Sequence, residues 1–186
     1  MQIPHAKDFK PVFLFIFRFL LVYLLLGVIY DFYIRSYGPL VDPFTHSVGI
    51  QSAKILSWMG FNTWAFGSLV DPFVYLMKDN RRVVDVYEGC NGLNVMIVFI
   101  SFIVAWKRFP IRLTWYPVAG LLLIHCCNLV RVCGLFGIAL NYPQQFYFMH
   151  KYLFTGSLFL IVFLLWIGWI LLLRKNDQSK DQADPA

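Results

Sequence analysis

Charged residues are scarce in this sequence, and its cysteines never occur in the spacing of a metal or redox site. Charged residues make up 14% of the 186 positions, against 59% hydrophobic and 19% aromatic ones. A soluble domain is usually only about half apolar. No C-x-x-C occurs among the four cysteines, so a zinc site or a thioredoxin-like motif has no support. The composition therefore indicates a membrane protein.

The apolar residues are gathered into blocks of the length that crosses a bilayer, which takes about 20 residues each. We predict four spans, at about residues 12–34, 92–106, 113–140 and 153–173. Residues 1–173 then form a single membrane-embedded domain, and the polar residues 174–186 form a disordered cytoplasmic tail. The predicted fold class is an all-α polytopic membrane protein with its spans in one bundle.

The outer segment, residues 35–91, has too many polar residues for a further span. Apolar residues from Val48 onward fall near helical spacing. This pattern predicts an amphipathic helix at the membrane interface, with Trp58 and Trp64 as anchors. Two apolar-rich runs then flank KDNR (78–81), a turn-like centre. They predict a small β-hairpin before the second span.

Basic residues at the ends of the apolar blocks set the expected orientation. The positive-inside rule puts such residues on the cytoplasmic side, and four spans allow this for all of them: Lys7, Lys10, the KRFPIR loop (107–112), Arg174 and Lys175. Segment 35–91 and the loop 141–152 then face outward. The net charge of +6 is explained by this arrangement, and no nucleic-acid partner is expected.

Three chemically active residues come from different elements but fall at the same predicted membrane face. Cys90 opens the second span within YEGCNGL (87–93), Arg131 lies in the outer half of the third span, and His150 precedes the fourth. A charge at the centre of a spanning helix costs at least about 2.5–3.5 kcal/mol, so it usually faces the bundle interior and has a partner. The alternative is that Arg131 snorkels to the outer headgroups. Asn128 shares its helix face.

These residue types suit acyl transfer on a peptide. A cysteine reacts as thiolate, and a nearby arginine, histidinium or helix N-terminus lowers its pKa. An imidazole supplies the general acid or base, and an arginine supplies positive charge where an oxyanion develops. Cys90, His150 and Arg131 could fill these roles. His125 is either a satisfied buried histidine or a further participant, with Asn128 three positions later.

Three motifs in order resemble the exosortase/archaeosortase family of membrane transpeptidases. They are EGCNGL (88–93), NLVRV (128–132) and HKYLFTG, which starts at His150. The order of the elements from about residue 40 to residue 173 is also similar, so the resemblance covers most of the chain. With about four spans, the chain looks like the short, F-type exosortase form of Bacteroidetes.

The resemblance implies a cysteine transpeptidase or protease of the cell (inner) membrane, with its active site facing the exterior. Such an enzyme cleaves the C-terminal sorting signal of membrane-anchored exported proteins through a thioester, and it passes them to an envelope lipid or glycan acceptor. Cys90 would be the nucleophile, Arg131 the stabiliser and His150 the acid or base. The candidate supporting or substrate-binding residues are Glu88, Asn91, Asn94 and Asn128. No metal and no cofactor is expected.

Two other functions stay open from the residues alone. In a carrier or channel subunit, Arg131 would bind an anion within the membrane and Cys90 would be a packing residue. In a non-catalytic scaffold for envelope proteins, Cys90, Arg131 and His150 would each be dispensable. The substitution Cys90→Ser separates these classes, because a carrier tolerates it and a thiol enzyme does not.

Overall fold

Three helices among the described residues are long and apolar enough to cross a membrane. The structure, a computed structural model, describes residues 6–106 and 109–183. The candidate spans are Lys10–Ser36, Ile111–Asn141 and Pro143–Gln178, as expected of a multi-pass membrane protein. The predicted second span is a helix of 13 residues, Leu93–Ala105. Its length is about 20 Å, shorter than the roughly 30 Å of a hydrocarbon core.

The elements follow one another with short connections. The helices are α1 (Ala6–Ser36), α2 (Pro43–Trp58), α3 (Leu93–Ala105), α4 (Trp115–Asn141), α5 (Phe146–Phe148) and α6 (Thr155–Ala183). The strands are β1 (Thr63–Gly67), β2 (Val74–Lys78) and β3 (Arg81–Val86). Short 3₁₀ turns cover Glu88–Cys90, Ile111–Leu113 and Pro143–Gln145, and a π-helical stretch covers Met149–Phe154.

The sheet is antiparallel with the strand order β1-β2-β3. Asp79 and Asn80 link β2 to β3 with φ values of 47° and 62°, which suits the two-residue turn that favours a hairpin. The predicted hairpin is therefore confirmed. The chain is mostly helical, as predicted, and β1 extends the hairpin to a three-stranded sheet. Its five residues carry too little local signal, and only pairing with β2 defines them.

Helix α2 is amphipathic, as predicted, but protein covers its apolar face. Asp42 caps it by accepting hydrogen bonds from the backbone N–H groups of Phe44 and Thr45, as an N-cap aspartate should. Val48 and Leu56 on α2 are buried and belong to the same apolar cluster as residues of α4 and the sheet. A helix lying flat on the bilayer would instead bury this face in lipid.

Two apolar clusters hold the protein together. The β-side core joins α2, the sheet and the second half of α4; its fully buried members include Val48, Val74, Val86, Val132 and Phe136. The helical core joins α3, the first half of α4 and α6; its members are Phe99, Ile103, Leu113, Ile124, Val162, Trp169 and Leu173. Helix α4 thus runs through both clusters.

The last helix extends beyond residue 173, where the fourth apolar block was predicted to end. Helix α6 continues to Ala183, because a long apolar helix is already formed there and each further residue adds one hydrogen bond. Arg174 and Lys175 lie within α6. Lys107 and Arg108 of the predicted cytoplasmic loop lie outside the described residues, as do residues 184–186.

Candidate active site

The predicted nucleophile lies in a tight turn between β3 and α3. The 3₁₀ turn Glu88–Cys90 is closed by a hydrogen bond of 2.7 Å from the Cys90 N–H to the Tyr87 carbonyl. Gly92 follows with φ of +86°, and a Cβ there would lie 3.0 Å from the Asn128 Cγ. Only glycine meets both conditions without strain. The sequence between Cys90 and α3 therefore lets the Glu88–Cys90 turn, called the thiol turn below, approach α4 closely.

Asn91 ties this turn to two other helices. Its Nδ2 donates to the Tyr30 hydroxyl of α1 at 3.0 Å and to the Thr45 Oγ1 of α2 at 2.9 Å. Its Oδ1 accepts from the Leu93 N–H at 2.8 Å, at the start of α3. The Tyr30 hydroxyl in turn donates to the Glu88 carbonyl at 3.3 Å. Asn91 therefore fixes the thiol turn from the side facing α1 and α2.

Asn128 and Arg131 fix the turn from α4. Asn128 is fully buried, and its Nδ2 donates to the Cys90 carbonyl at 2.9 Å. Its Oδ1 accepts from the Arg131 Nη1 at 3.4 Å. Arg131 is only 6% exposed, so it does not snorkel to headgroups; it points into the protein.

His150 completes the arrangement from the segment before α6. Its Nε2 lies 3.4 Å from the Cys90 Sγ and 3.5 Å from the Arg131 Nη2. The ring stacks on Phe146 with 11° between the planes. His150 belongs to the π-helical stretch Met149–Phe154, a geometry that is rare and frequent at functional sites. The extra residue of that turn changes the direction in which the imidazole projects.

The two contacts of the imidazole Nε2 define its role. A guanidinium can only donate, so in the contact with Arg131 the His150 Nε2 is an acceptor. Its single lone pair can instead receive the proton of the Cys90 thiol, which lies at a similar distance. The geometry is that of a thiol beside a base, with a cation close to both.

Burial raises the pKa of the Cys90 thiol above its ordinary value. The positive charge of Arg131, and hydrogen bonds from Tyr87 and Arg131, act in the opposite direction without reversing it. The activated thiolate expected from the sequence is therefore not the resting state of this geometry. The reason is that Cys90 is 4% exposed, and loss of water costs a thiolate more than one nearby cation returns.

Arg131 is a buried cation without a buried anion. Among the described residues no carboxylate forms an ion pair with it, and its Nε has no hydrogen-bond partner. Unpaired buried charges are costly and mark functional sites more often than structural ones. The anions that the site could offer Arg131 are the Cys90 thiolate and the oxyanion of a reacting carbonyl.

A cavity of about 260 Å³ opens onto Cys90 and His150. Cys90 and His150 lie in its wall together with Tyr87, Val132 and Phe146. Most of the remaining lining is apolar. The arrangement thus places a thiol and a base in the wall of a mostly apolar cleft, with the Arg131 guanidinium 3.5 Å from that base.

The model of one protein family, described as transmembrane exosortase, matches residues 9–169. The chain belongs to the transmembrane exosortase family. The match covers the first two candidate membrane helices, the sheet and most of the third candidate helix. No curated protein and no solved structure matches the chain. Membership supports a transpeptidase-type role in a membrane for this exosortase-family protein.

The structure does not bring the other predicted side chains, those of Glu88, Asn94 and His125, into contact with Cys90. Glu88 contributes its backbone carbonyl, and its carboxylate makes no hydrogen bond or ion pair with another described residue. Asn94 is exposed on α3 and forms no side-chain hydrogen bond to a described residue. His125 pairs its Nε2 with the Gln51 Oε1 at 2.8 Å, on the side of α4 that faces α2. It is not brought to Cys90.

Sequence reasoning missed Tyr30, Tyr87 and Phe146. The Tyr87 ring packs over Gly89, where a Cβ would lie 2.4 Å from the ring. The pKa of Tyr87 is raised, chiefly by the nearby Cys90 thiolate and by burial. A tyrosine within an apolar span usually needs a partner for its hydroxyl, and that signal could have found Tyr30. Nothing in the local sequence distinguishes Phe146 from its aromatic neighbours.

No metal site forms from the described residues: no group of three or more histidine, cysteine, aspartate or glutamate side chains converges there.

Proposed function

We propose that this protein is a membrane cysteine transpeptidase or protease that cleaves the C-terminal sorting signal of exported proteins through a thioester on Cys90. The observation that carries the proposal is that the His150 Nε2 lies within 3.5 Å of both the Cys90 Sγ and the Arg131 Nη2. Three residues far apart in the chain meet there. Neither a carrier nor a scaffold requires a base in contact with a thiol.

The proposed topology has four membrane segments, with the thiol turn and the sheet outside the cytoplasm. In addition to the three long helices, α3 is then a short membrane segment that packs against α1 and α6. Its 13 residues suffice if the thiol turn lies below the headgroups, where the sheet and α2 shield it from lipid. We further propose that the chain is of the short exosortase type of Bacteroidetes.

In the first proposed step the substrate peptide carbonyl lies over Cys90. The His150 Nε2 takes the thiol proton, and the sulfur forms a bond to the carbonyl carbon. The carbonyl electron pair moves to oxygen, where Arg131 and Tyr87 offer positive charge and a donor. Preorganised donors of this kind often make the largest contribution to acyl transfer.

In the second step the tetrahedral intermediate collapses to a thioester and the peptide C–N bond breaks. The histidinium of His150 gives its proton to the departing amine. An amine on an envelope lipid or glycan, or water, then attacks the thioester carbonyl and gives a proton to His150. The carbon–sulfur bond breaks, and the freed Cys90 thiolate takes that proton back from His150. The acceptor decides between transpeptidation and hydrolysis.

The test uses a chain in which Cys90 is the only cysteine, with Cys126, Cys127 and Cys133 replaced by serine. Sealed cells or spheroplasts are treated with a membrane-impermeant maleimide, and the alkylation rate of Cys90 is measured. We expect reaction from the outer side, slowed at least about tenfold by Arg131→Ala or by His150→Ala, since tenfold corresponds to about 1.4 kcal/mol in a barrier.

The matched control is His125→Ala, which removes a histidine of α4 that does not contact Cys90. It should leave the alkylation rate unchanged. A thiol that reacts equally in all four proteins would favour the carrier or scaffold reading. So would survival of substrate processing in Cys90→Ala cells.

A further inference from the structure

The strand that leads into the thiol turn lies at the edge of the sheet. β3 pairs with β2 on one side only, and its last residue, Val86, is followed by Tyr87 and the Glu88–Cys90 turn. An edge strand presents a row of unpaired N–H and C=O groups on its free side. Outside the β2–β3 ladder, no hydrogen bond of the described residues uses the backbone of Val83 through Val86.

The active-site cavity runs along this free edge. Five consecutive residues, Val83 to Tyr87, line it. Successive side chains of a strand point to opposite faces, so a cavity that touches every residue in turn follows the edge of the strand and not one face. The opposite wall comes from Val132, Leu135, Phe146 and His150. The cavity is therefore a slot between a strand edge and the catalytic histidine.

The turn chemistry shows which backbone groups face the slot. In a two-residue hairpin the flanking pair, here Lys78 and Arg81, is hydrogen-bonded, and the pattern alternates from there. A bulge between Leu76 and Met77 shifts it by one residue at Val83. By this alternation the N–H and C=O of Asp85 and the N–H of Tyr87 point away from β2 and into the slot.

A second cavity of about 490 Å³ shares Val83 with the slot. Its charged lining consists of three cations, Lys78, Arg81 and Arg82, and one carboxylate, Asp79, which accepts a hydrogen bond from Asn62. Arg82 is paired with Asp85, but Lys78 and Arg81 form no ion pair with a described residue. This end of the groove therefore favours a negatively charged group. From Val83 to Tyr87 the strand spans roughly 13 Å, at about 3.3 Å per residue.

We propose that the substrate segment binds in an extended conformation as a fourth strand on the free edge of β3, parallel to it, with an acidic residue toward Lys78 and Arg81. This inference rests on the proposed function, which puts the scissile carbonyl at Cys90, beyond the C-terminal end of β3. The residues before the scissile bond then run from Val83 toward Tyr87. Main-chain hydrogen bonds give affinity in this mode of recognition, and side-chain pockets give specificity.

The test compares three electrophiles, and a lysine-substituted version of the first, on the chain that has Cys90 as its only cysteine, in detergent. The first is a peptide of about five residues, with an acidic first residue and alternating threonine and valine, that ends in a vinyl sulfone. The second is the same peptide with N-methylated amides, and the third is methyl vinyl sulfone alone. In each case the sulfur adds to the vinyl carbon and a proton goes to the neighbouring carbon.

We expect the first peptide to label Cys90 at least tenfold faster than its N-methylated form, and severalfold faster than a version with lysine in place of the acidic residue. Asp85→Pro removes the N–H that faces the slot, at an edge position where proline is tolerated. It should reduce the tenfold preference to less than twofold. Asp85→Ala keeps that N–H and should retain the preference, although both variants lose the pair with Arg82.

Methyl vinyl sulfone separates the possible failures. If its rate is independent of His150, the proposed function fails and the binding mode fails with it. If its rate depends on His150 but N-methylation does not slow the peptide, strand addition is wrong while the catalytic proposal stands. Equal loss of preference in Asp85→Pro and Asp85→Ala would also overturn strand addition, since the side chain would then be responsible. An unchanged methyl vinyl sulfone rate in Asp85→Pro shows that the thiol site is intact.

Discussion

The helical core and the β-side core are built on the same helix, α4, yet they bury different kinds of residue. Beside the helical core around Phe99 and Ile124, the buried hydroxyl of Ser101 on α3 bonds only the Ile97 carbonyl of its own helix. Beside the β-side core, Thr45, Asn91, Asn128 and Arg131 are buried as well. Asn128 and Arg131 follow Ile124 by only one and two turns. The character of α4 thus changes where the sheet and α2 begin to cover it.

The comparison teaches that the side-chain amides buried beside the β-side core are hydrogen-bonded by other elements of the protein. Lipid offers no hydrogen bonds, so buried polar groups in a membrane must find internal partners. Asn91 and Asn128 find them in the Cys90 turn, in Tyr30 and in Thr45. Arg131 is satisfied only in part. Cys90, the nucleophile of the proposed function, belongs to the β-side core.

The largest expected effect on stability lies in the helical core. Phe99→Ala should lower the free energy of unfolding by about 3–5 kcal/mol, because it removes a fully buried ring and leaves a cavity. A reversible detergent–SDS titration measures the change. The control is Phe32→Ala, since Phe32 on α1 is 76% exposed and should change the unfolding free energy little. Equal effects of the two variants would show that α3 is not packed as described.

A smaller loss is expected where a buried polar group is left unpaired. Asn128→Ala removes the donor to the Cys90 carbonyl and the acceptor for Arg131, at a cost of about 1–3 kcal/mol. Unlike Phe99→Ala, it should also change the alkylation rate of Cys90 under folding conditions. Asn141→Ala is the matched control, because Asn141 is exposed and bonds only the Gly137 carbonyl of its own helix. If Asn128→Ala changes neither the unfolding free energy nor the alkylation rate, Asn128 does not hold the thiol turn in place.

The third prediction concerns the pH dependence of Cys90 alkylation. Because burial raises the pKa of Cys90, the alkylation rate should rise with pH and reach half its maximum above the pH of an ordinary thiol. Arg131→Met removes the charge that lowers the pKa, so its profile should move further toward alkaline pH. The expected control, Arg35→Met, removes an exposed charge that pairs with Asp31 and should not shift the profile. A shift to lower pH in Arg131→Met contradicts the assigned geometry.

The smallest expected effect is that of replacing Asn94, which lies three positions after Asn91 in the same motif. Asn94→Ala should change the free energy of unfolding by less than about 0.5 kcal/mol, as is usual for exposed positions, and it should not alter Cys90 alkylation. Asn91→Ala breaks three hydrogen bonds and should alter both. If thermal unfolding and alkylation respond alike to the two substitutions, the thiol turn is held differently from the arrangement described.

The sequence by itself determined what local patterns can carry. Runs of apolar residues identify the membrane helices, since a bilayer selects for length and hydropathy. The KDNR turn identified the hairpin, because few residues accept positive φ at two adjacent positions. The order of Cys90, Arg131 and His150 along alternating spans also predicted their meeting at one face, and the 3.4–3.5 Å contacts of His150 agree with that prediction.

Tertiary structure alone decided the rest. Cys90 and His150 are 60 positions apart, and their contact depends on how α3, α4 and the π-helical stretch pack. Which asparagine of CNGLN enters the site, and that Tyr30 supports it, follows from contacts between separate helices. Packing also raised the pKa of Cys90, because desolvation is set by every element around the thiol and not by its neighbours in the chain. Local periodicity gives the faces of helices and strands, but only packing gives the distances between them.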